Sequence, residues 1–198
     1  MELTARTTAI VTQECQKGVL GEHAVFPQLR DAARGSMIPC AARLVNEARA
    51  RGVRIVHCVA AHPPGFVGYN TNARLFGAAR KSGVELKVGT ESTQVIDELF
   101  GDGDIVSIRF HGIGPMWDTD LDPILRNLEI KTIVAIGVSV NIGLTNLVMD
   151  AVNASYRVVL PRDAVCGIPA DYADAVIDNT LSLLATLSTT DEVIEAFS

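Results

Sequence analysis

The run Lys131-Thr132-Ile133-Val134-Ala135-Ile136-Gly137-Val138, followed by Ser139-Val140-Asn141-Ile142-Gly143, carries the strongest structural signal in the chain. It lacks polar alternation between Ile133 and Val138, so it reads as a strand buried on both faces, as in parallel sheets. Residues 141–155 then read as a helix, and Arg157-Val158-Val159-Leu160 as the next strand. Strand, helix and strand in that order form the crossover unit of a parallel sheet.

The same alternation extends in both directions. Towards the N-terminus, residues 7–12 and 53–60 read as buried strands, and 104–109 as a third. Residues 39–51 read as a helix, with Ala41, Leu44, Val45 and Ala48 at helical spacing. Pro39 suits its first turn and Gly52 its end. Residues 92–100 and 120–127 also read as helices. Residues 61–91 read as a long connection, the kind that often carries function. Towards the C-terminus, a long helix is expected over 171–184 and a short strand over 185–188. Thr189 and Glu192 form a capping-box pattern that opens a last helix. The expected fold is α/β, a three-layer α-β-α sandwich around a mostly parallel sheet, in one domain over 1–198.

Composition narrows the function. The chain has 198 residues, 48% of them apolar, which is enough for a continuous core. The net charge is −6 and Lys and Arg are scattered, against nucleic acid or an anionic membrane as partner. No apolar run approaches the about 18–20 residues of a membrane span. The N-terminus lacks a basic start followed by an apolar core, so a cytoplasmic location is expected. Cys15, Cys40, Cys58 and Cys166 lie far apart without a CxxC pair, and no disulfide or cofactor is expected.

Sites on open α/β sheets form beyond the carboxyl ends of the strands. That directs attention to residues 13–18, 109–119 and 138–145. The first holds Gln13-Glu14-Cys15-Gln16. The second reads Arg109-Phe110-His111-Gly112-Ile113-Gly114-Pro115-Met116-Trp117-Asp118-Thr119. The third reads Val138-Ser139-Val140-Asn141-Ile142-Gly143-Leu144-Thr145.

These segments resemble, in order, the motifs of the isochorismatase-like cysteine hydrolases, which include nicotinamidases and carbamoylsarcosine amidases. The family's first motif is a strand followed by D-x-Q; here Glu14 takes the Asp position and Gln16 matches. Its second has a strand-end Lys and a T-x-L end; here Arg109 is the nearest basic residue and Thr119 begins T-D-L. Its third resembles G-V-x-T-N-x-C, then G-Y-R-V-V-V-x-x-D-A. Here Gly137-Val138-Ser139-Val140-Asn141-Ile142-Gly143 leads without gaps to Ser155-Tyr156-Arg157-Val158-Val159-Leu160-Pro161-Arg162-Asp163-Ala164. The resemblance implies a cis peptide at Val138-Ser139. It also implies a homo-oligomer, dimer or tetramer.

In that family a cysteine thiolate at a helix N-terminus attacks a carbonyl carbon, with an Asp as base and a Lys beside the developing charge. On the resemblance, the three positions are Glu14, Arg109 and Gly143. Gly143 has no side chain to attack with. Arg109 stays charged and suits two-point binding of a carboxylate. Backbone N–H groups at the helix start still suit an anion or carbonyl oxygen. The expected ligand-binding residues are Gln16, His111, Trp117, Thr119, Val138, Ser139 and Asn141.

Three other residues are candidate nucleophiles. Cys15 adjoins Glu14, but strand alternation points it to the opposite face. Thr145 lies about 200° round the helix from Gly143. Ser139 is the hydroxyl in the loop itself. Some relatives hold a metal after the second strand; here His57 and His62 are five apart with no Asp between, and no metal site is expected. Three readings follow. One is a silenced member that binds a small anionic or carbonyl ligand. Another is a hydrolase in which Glu14 activates water. The third is a non-catalytic oligomeric interaction protein.

Overall fold

The computed structural model describes residues 1–197. A seven-stranded sheet runs through the molecule. Its strands are β1 (Thr8–Gln13), β2 (Arg54–Ala60), β3 (Ile105–Arg109), β4 (Thr132–Val138), β5 (Arg157–Pro161), β6 (Val165–Cys166) and β7 (Thr186–Ser188). The order across the sheet is β3-β2-β1-β4-β5-β7, with β6 paired to the end of β4. Every pairing is parallel.

Strand alternation builds the layers. Ile10 of β1 and Val134, Ile136 and Val138 of β4 face one core. Ala9 and Val11 of β1 and Ile133 and Ala135 of β4 face the other. The first core is covered by α2 (Pro27–Gly35), α3 (Met37–Ala50) and α8 (Thr190–Ala196), the second by α5 (Leu121–Asn127), α6 (Thr145–Asn153) and α7 (Ala170–Asn179). Leu44 and Leu147 are wholly buried on opposite faces, and such burial contributes roughly 1.5–3 kcal/mol per side chain. The capping box at α8 is formed. Thr189 Oγ1 accepts from Glu192 N at 3.3 Å, and Glu192 Oε2 accepts from Thr189 N at 2.9 Å.

Some local expectations do not hold. Residues 92–100 do not form a helix beyond a single turn over Glu91–Thr93. Their backbone pairs with another segment instead: Lys17 N donates to Gln94 O at 2.8 Å and Ile96 N to Cys15 O at 3.0 Å. The helix expected over 171–184 stops at Asn179. The chain breaks at Thr180 so that Leu181 turns into the second core, wholly buried. The connection over 61–91 contains α4 (Arg74–Lys81), while α1 (Lys17–Leu20), α2 and β6 appear where no element was expected. The helix expected over 141–155 begins as a wide turn over Val140–Leu144, in which Leu144 N reaches back to Ser139 O at 3.0 Å. Among the described residues, no helix is long and apolar enough to cross a membrane.

Two neighbouring strands, β1 and β4, send their chains to opposite sides of the sheet: β1 leads on to β2, and β4 to β5. Such a switch point opens a crevice at the carboxyl ends.

Candidate active site

A cavity of about 690 Å³, counting the space at its mouth, lies at that switch point. Glu14, Ala60, Arg109, Ser139, Ile142 and Gly143 form its floor, each at or just beyond the end of β1, β2, β3 or β4. Val25, Phe26, Tyr69, Phe76, Leu86 and Ile113 form mostly apolar walls.

Glu14 leaves β1 with φ of 52°, a conformation few residues other than glycine adopt. It is held there by its N–H, which donates to Cys58 O at 2.8 Å. Its carboxylate Oε1 accepts from Arg109 Nη2 at 2.5 Å and from Gln13 Nε2 at 3.1 Å. Arg109 sits two strands away and reaches over β2, where its partner in register is the small Ala60. Its second nitrogen, Nη1, donates to Gly112 O. The Gly112 N–H in turn donates to Asn70 Oδ1 at 2.8 Å, tying the loop after β3 to the 61–91 connection. Arg109 is 8% exposed, so the ion pair is partly buried and its loss is costly.

Gly143 lies in the wide turn between β4 and α6. A Cβ built there would stand 2.9 Å from Gln13 Nε2, inside the van der Waals limit. Gln13 is 1% exposed, and its Oε1 has no hydrogen-bond partner. A polar side chain from the end of a buried strand thus occupies the room a side chain at 143 would need. The Val138-Ser139 peptide is cis. Gly137, just before it, has φ of 109°, and a Cβ there would lie 2.9 Å from Cys15 Sγ. Only glycine allows β1 and β4 to approach so closely here.

The other expected binding residues are placed elsewhere. Gln16 is wholly buried as a brace: Nε2 donates to Ala60 O at 2.8 Å and Ser92 O at 3.0 Å, and Oε1 accepts from Ala60 N at 2.6 Å. Thr119 bonds Pro115 O and the Leu121 N–H at the start of α5. Asn141 Nδ2 donates to Ile168 O at 3.4 Å. Val138 is wholly buried in the first core. His111 is exposed and Trp117 is 63% exposed. None of these six lines the cavity, whereas Ser139 does.

Of the alternative nucleophiles, Cys15 lies in the first core, away from the cavity. Burial, and then the charge of Glu14, push its thiol up to about 12, so it is not a thiolate at neutral pH. Thr145 donates its hydroxyl to Val140 O at 2.5 Å. His57 and His62 do not suit a shared metal. His57 is bonded at both nitrogens, to Thr12 and Asp104. No group of three His, Cys, Asp or Glu that could hold a metal occurs among the described residues.

Sequence reasoning missed Gln13, Tyr69, Asn70 and the apolar walls. Gln13 had a readable signal, a polar residue ending a buried strand. The others sit in connections without periodicity, and only the fold brings them to the strand ends.

Comparison with known proteins gives a consistent result. A family model described as Isochorismatase domain matches residues 8–192. The uncharacterized isochorismatase family protein YecD of Escherichia coli O157:H7 is 28% identical over 204 residues, covering 99% of both chains. A cysteine hydrolase from Pseudomonas syringae pv. phaseolicola 1448A superposes with a TM-score of 0.82 at 20% identity, over 99% of this chain and 94% of that one. N-carbamoylsarcosine amidase from Thermoplasma acidophilum gives 0.74 at 22% identity, over 93% and 97%. At such identities the structural likenesses speak to the fold alone.

Proposed function

The chain belongs to the isochorismatase family, and from that premise we propose that its cavity binds a small anionic or carbonyl-bearing molecule without thiol-based hydrolysis. The observation that carries this reading is at Gly143. The helix start where the family resemblance expects a nucleophile presents bare backbone, and Gln13 fills the adjoining space.

Two further features support it. Glu14 Oε1 already accepts from Arg109 and Gln13, so that oxygen is committed to the protein rather than free to take a proton from a nucleophile. Ile142 and Leu144 both donate their N–H groups to Ser139 O, at 3.2 and 3.0 Å. Gly143 lies between them, and its N–H is the donor this reading assigns to the ligand's oxygen. The apolar walls suit a ligand with an apolar body.

A hydrolase reading draws on Glu14 and Ser139, which line the same cavity. No hydrogen bond joins the two among the described residues. The test is therefore double. Benzoate titrated into the labelled protein is expected to shift the Gly143 amide resonance. The purified chain is expected to turn over no amide, ureide or vinyl ether. Turnover that disappears in Glu14→Gln or Ser139→Ala overturns the proposal.

A further inference from the structure

The cavity above Gly143 has a second lobe. A smaller, narrow hollow adjoins it and shares Ala60, Tyr69, Leu86 and Arg109 as walls. His62 lines this lobe but not the main one.

His62 is 3% exposed, and its Nε2 has no hydrogen-bond partner. Its other nitrogen, Nδ1, lies 2.9 Å from Pro63 O. A carbonyl oxygen only accepts, so Nδ1 carries the hydrogen. In the neutral ring that leaves Nε2 as a bare acceptor. The ring is also fixed in place. It stacks on Phe66 at 3.7 Å between centroids, and Arg80 covers Phe66 at 4.8 Å. The backbone on both sides is paired: His62 N donates to Leu86 O at 2.8 Å, and Val88 N to His62 O at 3.2 Å. A buried acceptor held this firmly without a partner from the protein calls for one from outside it. It is what a site built to read a ligand's donor looks like.

We propose that His62 Nε2 is the recognition acceptor of this cavity, taking an N–H or O–H from the end of the ligand remote from Gly143. The inference rests on the binding reading above and narrows it. The ligand class becomes a small molecule with a carbonyl or carboxylate at one end, an apolar body, and a hydroxyl, amine or amide donor at the other. Arg109 lies in the wall between the lobes, but its guanidinium is engaged by Glu14 and Gly112. The remote end is therefore read by an acceptor and not by a cation.

The experiment uses donor and donor-blocked pairs on the native chain. The probes are 4-hydroxybenzoate with 4-methoxybenzoate, and 3-(4-hydroxyphenyl)propanoate with its methyl ether. Affinities are measured by calorimetry. In at least one pair the hydroxyl form is expected to bind about tenfold more tightly. That preference is expected to vanish in His62→Phe, which keeps a ring to stack on Phe66. Nitrogen-15 NMR of the native protein reads the tautomer without any variant, and is expected to show the proton on Nδ1 of His62. Equal affinities within both pairs, a preference that survives in His62→Phe, or a proton on Nε2 overturns the role of His62 and leaves the cavity a binding site. Failure of all four probes to bind overturns the binding reading with it.

Discussion

His57 and His62 lie five residues apart on either side of the end of β2, and the structure uses them in opposite ways. His57 is wholly buried on the face covered by α3. Its Nε2 is 3.1 Å from Asp104 Oδ2, and a carboxylate only accepts, so Nε2 is the donor; its Nδ1 then accepts from Thr12 Oγ1 at 2.9 Å. Asp104 also accepts from Arg49, at 2.7 and 3.2 Å, and from the Gly101 N–H at 2.9 Å. That cluster closes on itself, each of these side chains pairing within the protein. His62 carries its hydrogen on the other nitrogen and leaves a buried acceptor without a protein partner, on a residue that lines a hollow. The lesson is that burial alone does not separate a structural histidine from a recognition one. What separates them is whether every donor and acceptor finds a partner within the protein.

The contrast can be broken by mutation, starting where the closed cluster is strongest. Asp104→Ala leaves Arg49 and His57 without their carboxylate and is expected to cost about 3–5 kcal/mol in urea denaturation. A loss under 1 kcal/mol would mean that the cluster is not the pin its geometry indicates. Arg109→Leu opens the partly buried counterpart at the cavity floor. Because Glu14 is partly solvated, the expected cost is smaller, about 2 kcal/mol. Gly143→Cys forces Gln13 to move off Glu14 and is expected to cost about 1 kcal/mol as overpacking. The new thiol should react with iodoacetamide while amide turnover stays absent; efficient turnover in that variant would show that the remaining site is intact catalytic machinery.

The smallest effect is expected with pH. Burial lowers the His57 titration below its ordinary value, against the raising influence of Asp104. Burial pushes the Asp104 carboxyl up, but hydrogen bonds from Arg49 and then His57 outweigh it and hold it below its ordinary range. Both groups are depressed in the folded state. Each therefore contributes stability above its unfolded pKa, about 6.5 for His and about 3.9 for Asp, and loses it as pH falls towards the folded value. Melting temperature is expected to decline first below about pH 6.5, and again below about pH 4. In His57→Phe the upper decline should be absent, and its persistence would assign that step to another group.

Much of the architecture was legible in the sequence. Unbroken apolar runs at Ile133–Val138 and around Val56 and Val159 identify buried parallel strands, and the Thr189–Glu192 spacing identifies the cap of α8. Residues 92–100 were misread because their pattern suits a helix while their backbone partners lie near Cys15. The site was legible in outline only. Glu14, Arg109, Ser139 and Gly143 do line one cavity, but Gln16, Thr119 and Asn141 satisfy backbone groups instead, and Trp117 faces outward.

By itself, then, the sequence determined the sheet, its two apolar faces and the bare backbone at Gly143, because these follow from local periodicity and from side-chain chemistry. Only the tertiary structure decided that Gln13 crowds the space at 143, that Arg109 crosses β2 to reach Glu14, and that His62 is left with a buried, unpartnered acceptor. Those facts depend on which distant segments meet at the strand ends, and hydrogen-bond satisfaction is a property of such meetings rather than of any residue alone.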